Sequence, residues 1–431
     1  MIEVKQRQTA KFLKEKILEL LQSYGVSITQ LLAVTCDNGA NMVAAVKQLQ
    51  KQYVADHPSL EAYDDDSDDD DEARERLIED LMEELQKSVS LIRCAVHTMQ
   101  LAVTDIVKAT DVTIKEITTI AKNTRKIGYK AMFEYNKISV PPFYSRTRWN
   151  GVYKMLNYFK QHEEFYKDIG RQYPELDLTN HWNYIDEYVS AFEPVFVCTN
   201  KMQAKHVSLS DFYVHWLNTV MQVGLLTNSN LAKSLVLSLT ERLKPLKNNM
   251  AFKAALLVDP RFNYLNSKTL SPEDKEQTRS FMLATWERIK QLDPNSSKEH
   301  QDTAQQSKPT NSFDTFLTRL FGGLPPESDQ NTKPLIQQLN ALDLEDHQSF
   351  SFDVWSHWKN RLKTYPELSK LALVFLSVPS NQVNVERSFS GMALTLTERR
   401  TNLSEESLEN ILLIKLNVDL IDKIIPENGF Q

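Results

Sequence analysis

"LLAVTCDNGANMVAAVKQLQKQY" occupies residues 31–53. Its opening, LLAVTCD, is a short apolar run with Val34 and Thr35 that stops at a carboxylate, Asp37. Such a run, bounded by a turn signal, predicts a buried strand. Asn38-Gly39 turns the chain, and apolar residues then recur at helical spacing. Upstream, over residues 7–24, Phe12, Leu13, Ile17, Leu20 and Leu21 share one helical face, and Gly25 is placed to cap that helix. A buried strand between two helices is the grammar of an α/β sheet. In such sheets ligands sit beyond the carboxyl ends of the strands, where Asp37 stands. Its carboxylate is therefore a candidate for chemistry. The plainer alternative is that it turns the chain together with Asn38-Gly39.

The pattern repeats once. Residues 63–72, YDDDSDDDDE, hold seven Asp and one Glu, and read as a solvated acidic loop with Ser67 as a weak modification acceptor. ARERLIEDLMEELQKS, 73–88, has helical periodicity, and SLIRCAVH predicts a second short strand leading into another helix. Cys94 and His97 stand at that strand-to-helix corner. Cys-x-x-His is half of a zinc site, but no second pair with ligand spacing follows. The corner is thus read as structural, a buried thiol with a capping histidine, and no metal site is assigned.

Further along, residues 131–292 carry helical patterns and little strand signal. Residues 293–345 hold little to bury and predict a linker. Order is expected to resume over 346–425. There Pro366 suits a first helical position, and Ser380 is placed to cap the helix that carries Glu386 and Phe389. Ser404 caps a last helix. From Glu409 to Ile425 that helix is apolar nearly all round, through Leu412, Ile414, Leu416 and Leu420. With Leu408, these residues are expected to bury one face inward and one against a second copy.

Composition sets the outer bounds. A chain of 431 residues exceeds the usual size of a single core and predicts two or three domains. At 41% hydrophobic and 25% charged it reads as globular. No apolar run is long enough to span a bilayer, and the start lacks a signal-peptide core. Three cysteines make no disulfide framework and point to the nucleus or cytoplasm. The net charge of −7 becomes +1 once the eight charges of the acidic run are set aside. Total charge therefore argues neither for nor against nucleic acid.

The ordered set "VTCDNGANM", "IRCAVHTMQLAV", "SRTRWNGVYKML", "AALLVDPRF" and "YPELSKLALVFLSVPSNQVNVERSFSG", with "ERRTNLSEESLENILLIKLN", resembles the hAT superfamily of DNA transposases and proteins derived from them. The resemblance covers nearly the whole chain and is most specific in the C-terminal block. It implies a mostly helical α/β plus all-α protein. Its ribonuclease-H-like core would be formed by residues 1–130 and completed by 346–425. A helical insertion over 131–292 would interrupt that core, and the C-terminal block would dimerise. It further implies that Asp37 and Glu386 are two of three metal-binding carboxylates. The Arg148–Trp149 pair would contact DNA, the Trp stacking on an extruded base. Arg146, Arg387, Arg399 and Arg400 are the other basic side chains expected near phosphate.

The first carboxylate of that triad belongs on a strand preceding residue 7, and it is missing from the sequence, as is an N-terminal zinc-binding DNA reader. Two Mg²⁺ ions at a phosphodiester need three carboxylates. The expectation is accordingly a truncated or domesticated relative that does not cut DNA, uses no cofactor, and acts as a dimer with DNA as a further partner. No membrane or small-molecule partner is expected. The alternative is a fragment of an active transposase that would use Mg²⁺ at Asp37 and Glu386.

Overall fold

The computed structural model describes residues 9–55, 89–109, 111–142, 149–203, 207–292, 335–396 and 403–418. Among them the protein is mostly helical, with seventeen α-helices and two strands. The acidic run at 63–72, the helix expected over 73–88, Arg146, Arg148, Arg399, Arg400 and Leu420 lie outside the described residues.

The first helix, α1 (Ala10–Ser23), starts at Thr9, whose hydroxyl accepts the Phe12 amide. It ends at Gly25, whose φ of +66° suits glycine. Two bonds close that end: Val26 N–H to Leu21 C=O at 2.9 Å, and Gly25 N–H to Gln22 C=O at 3.0 Å. They satisfy carbonyls the helix would otherwise leave unpaired. Strand β1 (Ala33–Cys36) pairs in parallel with β2 (Ser90–Arg93), Ala33 opposite Ser90 and Cys36 opposite Arg93. Both strands fall inside the runs read as strands. Helix α2 (Ala40–Ala55) packs on both strands and on α1, burying Ala45, Val46 and Leu49.

A helical body follows: α3 (Ala95–Ala109), α4 (Asp111–Asn123), α5 (Ile127–Tyr135), α6 (Trp149–Gln161), α7 (Glu163–Gln172), α8 (Trp182–Met202), α9 (Leu209–Gly224), α10 (Asn230–Lys247), α11 (Met250–Leu257) and α12 (Pro272–Leu292). One apolar core runs through it, from Ile92 to Val378. Helices α13 (Leu335–Ala341), α14 (Val354–Arg361) and α15 (Pro366–Leu376) join that same core through Leu339, Trp358, Leu371 and Phe375. Helix α13 lies within the stretch expected as linker. Leu335 and Leu339 are buried in the shared core, which is what holds this short helix in place. Two further helices, α16 (Val383–Thr395) and α17 (Glu405–Leu416), close the described chain. Ser404 accepts the Ser407 amide and caps α17, as its position predicted.

The turn after α11 joins the body to the C-terminal helices. In "VDPRF", Arg261 donates to both oxygens of Asp259 and to Asp211 at 2.6–3.1 Å, with Asp259 fully buried. A buried charge of this kind persists only where its partners are in place. Next to it, Trp358 Nε1 donates to Val258 C=O at 2.8 Å, and Lys275 pairs with Asp343 at 3.1 Å.

Candidate functional site

Asp37 follows the last residue of β1. Its Oδ1 accepts the Gly39 amide at 3.0 Å, an Asx turn that directs the chain into α2. The turn role read from Asn38-Gly39 is thus filled, and it leaves the second carboxylate oxygen unengaged by this bond. Cys94 follows β2 and donates its amide to Cys36 C=O at 2.8 Å. Its thiol sits where an N-cap side chain would, against the Val96 and His97 amides of α3 and the Gln382 amide. Among the described residues, no group of three or more His, Cys, Asp or Glu side chains gathers as a metal would require.

Glu386 reaches this end of the sheet through the segment between α15 and α16. Thr35 Oγ1 donates to Pro379 C=O at 2.7 Å, and Gln382 Nε2 donates to Thr35 C=O at 3.1 Å. The Ala95 amide donates to Ser380 C=O at 2.9 Å. Ser380 does not cap α16 as its position suggested. Its hydroxyl donates instead to Val207 C=O at 2.9 Å, and the neighbouring Asn381 Oδ1 accepts the Val383 amide at 3.0 Å. Asn381 also donates to Met202 C=O at 2.8 Å, and the Arg387 guanidinium donates to Gln203 C=O. Residues 379–387 are stitched in this way to the sheet on one side and to the end of α8 on the other.

The electrostatics record the result. Burial, and then the charge of Asp37, push the Cys36 thiol up to about 11. Burial pushes the Cys94 thiol up as well, against the amides that lower it, and the charge of Glu386 adds to the rise. The two carboxylates, 349 positions apart in sequence, thus act on adjacent thiols at the carboxyl ends of paired strands.

Beside them α3, α6, α8 and α16 enclose a cleft of about 620 Å³, lined by Gln100, Trp149, Thr199, Gln203, Glu386 and Phe389 among others. Asp37 does not line it. Trp149, the first residue of α6, is buried and packs its ring on Phe192 and Phe196 of α8, with centroids 6.2 and 6.5 Å away. It is at once a core residue and a wall of the cleft. The stitches made by Thr35, Asn381 and Gln382 escape a reading of the sequence. A side chain that bonds a distant backbone carbonyl leaves no periodic signal. The Asp259–Arg261 pair had a signal, an acid and a base two positions apart beside the apolar run AALLV.

At the C-terminal end, Leu408 is half-buried and Leu412 is buried. Leu412 Cδ2 lies 3.9 Å from where a Cβ on Gly391 would sit, so Leu412 faces α16 of its own chain. Ile414 and Leu416 are exposed, as are Leu413 and Val418.

Residues 335–418 match the family model described as the hAT family C-terminal dimerisation region. The C-terminal helices of this chain form a hAT dimerisation region. That region begins at α13 and takes in Glu386 and the exposed end of α17. Over 350 residues, 77% of the chain, the sequence is 19% identical to human (Homo sapiens) "Zinc finger BED domain-containing protein 4", and it spans 30% of that protein's length.

Proposed function

We propose that this chain is a hAT transposase-like protein that works as a pair of copies joined through the hAT region, and that it holds DNA without cutting it. The observation that carries the loss of cutting is the donor set. Asp37 and Glu386 come to one end of the sheet, and no third acidic side chain joins them among the described residues. Two hard divalent cations astride a phosphodiester take three carboxylates. The described residues do not fit that pair of ions.

In this reading the β1–β2 pair with α2 is the remnant of a ribonuclease-H-like core, and the helical body is the insertion that interrupts it. Trp149, backed by Phe192 and Phe196, and the neighbouring Arg148 meet DNA, and the nucleus is the place of action. Two observations support the reading: the match of residues 335–418, and the kinship with a protein whose name includes a BED zinc finger. Among the described residues no helix is long and apolar enough to cross a membrane.

The test is incubation of the purified chain with Mg²⁺ or Mn²⁺ and nicked or hairpin-prone DNA. The DNA is expected to stay intact, while light scattering gives the mass of two copies. Strand cleavage that disappears in Asp37→Ala would overturn the proposal. The share of the relative that is spanned, 30%, favours one second reading, in which the chain is a piece of a longer, active transposase. An in-frame coding sequence upstream of Met1 with an Asp-bearing strand and a Cys/His cluster would support that reading instead.

A further inference from the structure

The cleft beside the sheet end carries an uneven set of side chains. From α16 it takes Glu386, Phe389 and Ser390, whose spacing of three and four puts them on one face of that helix. Asn150 lies in the first turn of α6, and Gln203 follows the end of α8. None of the described lining residues is basic, and Glu386 is the one acid among them. A phosphate in this cleft would therefore meet a carboxylate with no lining cation to offset the repulsion. The other polar groups favour a donor. A carboxylate is acceptor-only. The Asn150 Oδ1 is buried and accepts no hydrogen bond among the described residues. An acceptor left in that state is costly, and a ligand that brings an N–H relieves it. The two aromatic walls differ in what they have left to offer. Trp149 is 6% exposed, its ring packed on Phe192 and Phe196, whereas Phe389 is 53% exposed. Phe389 is the ring with surface left to cover.

We infer that the cleft takes one unpaired guanine of a bound DNA, stacked on Phe389, and that Glu386 selects it by accepting hydrogen bonds from its N1–H and 2-amino group. The inference rests on the DNA-holding reading proposed above. It moves the stacking role from Trp149 to Phe389 and gives Glu386 work that needs no metal. A base suits the cleft because it brings two apolar faces and no charge, while its phosphates stay outside. Aromatic side chains hold any base by its face, so the choice among bases falls to the polar groups. Guanine offers two parallel donors on one edge, which match the two oxygens of a carboxylate, and such charge-assisted pairs are the strong ones. Adenine and cytosine set an acceptor nitrogen beside their amino group, and thymine sets its one N–H between two carbonyls. Asn150 adds a further acceptor. In a duplex the matching edge of guanine is already paired, so the base must leave the stack to be read. The cleft volume of about 620 Å³ lies within the range of about 300–1,000 Å³ that small aromatic ligands occupy, room for a base with its sugar.

The test uses the full chain and a DNA hairpin with one unpaired base in its stem, with affinity read by fluorescence anisotropy at one fixed salt concentration. Unpaired guanine should bind about tenfold tighter than unpaired thymine. It should bind about fivefold tighter than unpaired hypoxanthine, which differs from guanine by the missing 2-amino group. Glu386→Gln should bring guanine and hypoxanthine to about equal affinity. That variant also removes a negative charge, so the ratio between bases, not the affinity itself, is the readout. Phe389→Ala should weaken the unpaired-guanine hairpin about tenfold and leave the fully paired hairpin unchanged. Glu386 and Phe389 are exposed on α16, and circular dichroism checks that both variants keep their helices. The comparison of bases in the wild type needs no variant. Equal wild-type affinity for guanine and hypoxanthine overturns the base selection while the DNA-holding reading stands. Failure to bind any hairpin overturns that reading and the inference with it. An unchanged affinity of Phe389→Ala for unpaired guanine overturns the stacking. An arginine-rich peptide that binds the wild type without DNA, and does not bind Glu386→Gln, would give the cleft to a cationic side chain and overturn guanine as its occupant.

Discussion

Helices α13–α15 and helices α16–α17 follow one another in the chain and fall under one family description, yet they spend their apolar side chains in opposite ways. Trp358 in α14 is fully buried, with its indole N–H paired to Val258 C=O. Phe389 in α16 is about half exposed. The difference does not lie in the residue types, since both stretches alternate Leu, Val and aromatics with polar residues. It lies in what surrounds them. Around α14 the helical body closes over the side chains, whereas the segment leading into α16 is held to the sheet by hydrogen bonds from Thr35 and Gln382. One family region can thus combine helices that share the main core with helices that leave apolar side chains exposed.

Trp358→Ala should strike the scaffold half hardest. Removing a fully buried Trp and its hydrogen bond costs about 3–5 kcal/mol, seen as a lower midpoint in urea unfolding. A loss under about 1 kcal/mol would break the contrast, because α14 would then be no better anchored than α16. The support beneath α16 should fail next, with rising pH. Burial, then the charge of Asp37, hold the Cys36 thiol up at about 11, above its ordinary value of 9.0. A raised folded value contributes stability below pH 9, and that stability is lost as pH climbs through the folded value. Between pH 9 and 11 the protein should weaken by roughly 1–3 kcal/mol from this thiol, and Cys36→Ala should flatten that slope in unfolding curves. The smallest effect is expected from Thr35→Val, which removes the donor to Pro379 and costs about 1 kcal/mol. If the residues stitched to the sheet hold α16, hydrogen exchange should quicken over 379–390 and stay unchanged in α14.

Much of the local structure was legible in the sequence because it obeys short-range rules. The runs around residues 31–37 and 90–97 gave the two strands. Gly25 ended α1, Pro366 opened α15, and Ser404 capped α17, each through its own backbone preference. Ser380 looked equally suited to a cap, but a distant carbonyl, that of Val207, claimed its hydroxyl. The start of α13 was hidden because seven residues offer too short a period to stand out from the polar stretch before them. In the site, Asp37 could be picked out by its place at a strand end. Glu386 on its own is one helical Glu among many. What singled it out was a family likeness, since no spacing rule links positions 37 and 386. The all-round apolar character of α17 pointed to two buried faces, and Leu412 occupies one of them against α16.

The bond between Thr35 and Pro379 joins residues 344 positions apart, and this sets an order of events during synthesis. While a ribosome is still making the chain, β1 emerges long before the segment that docks on it. At the usual pace of about 5–20 residues per second, the strand end waits roughly 17–70 seconds for its far partner. During that interval the helical body forms in between and must bring the late segment home, so a stall or premature stop after α12 would release a protein with an open sheet end and no Glu386.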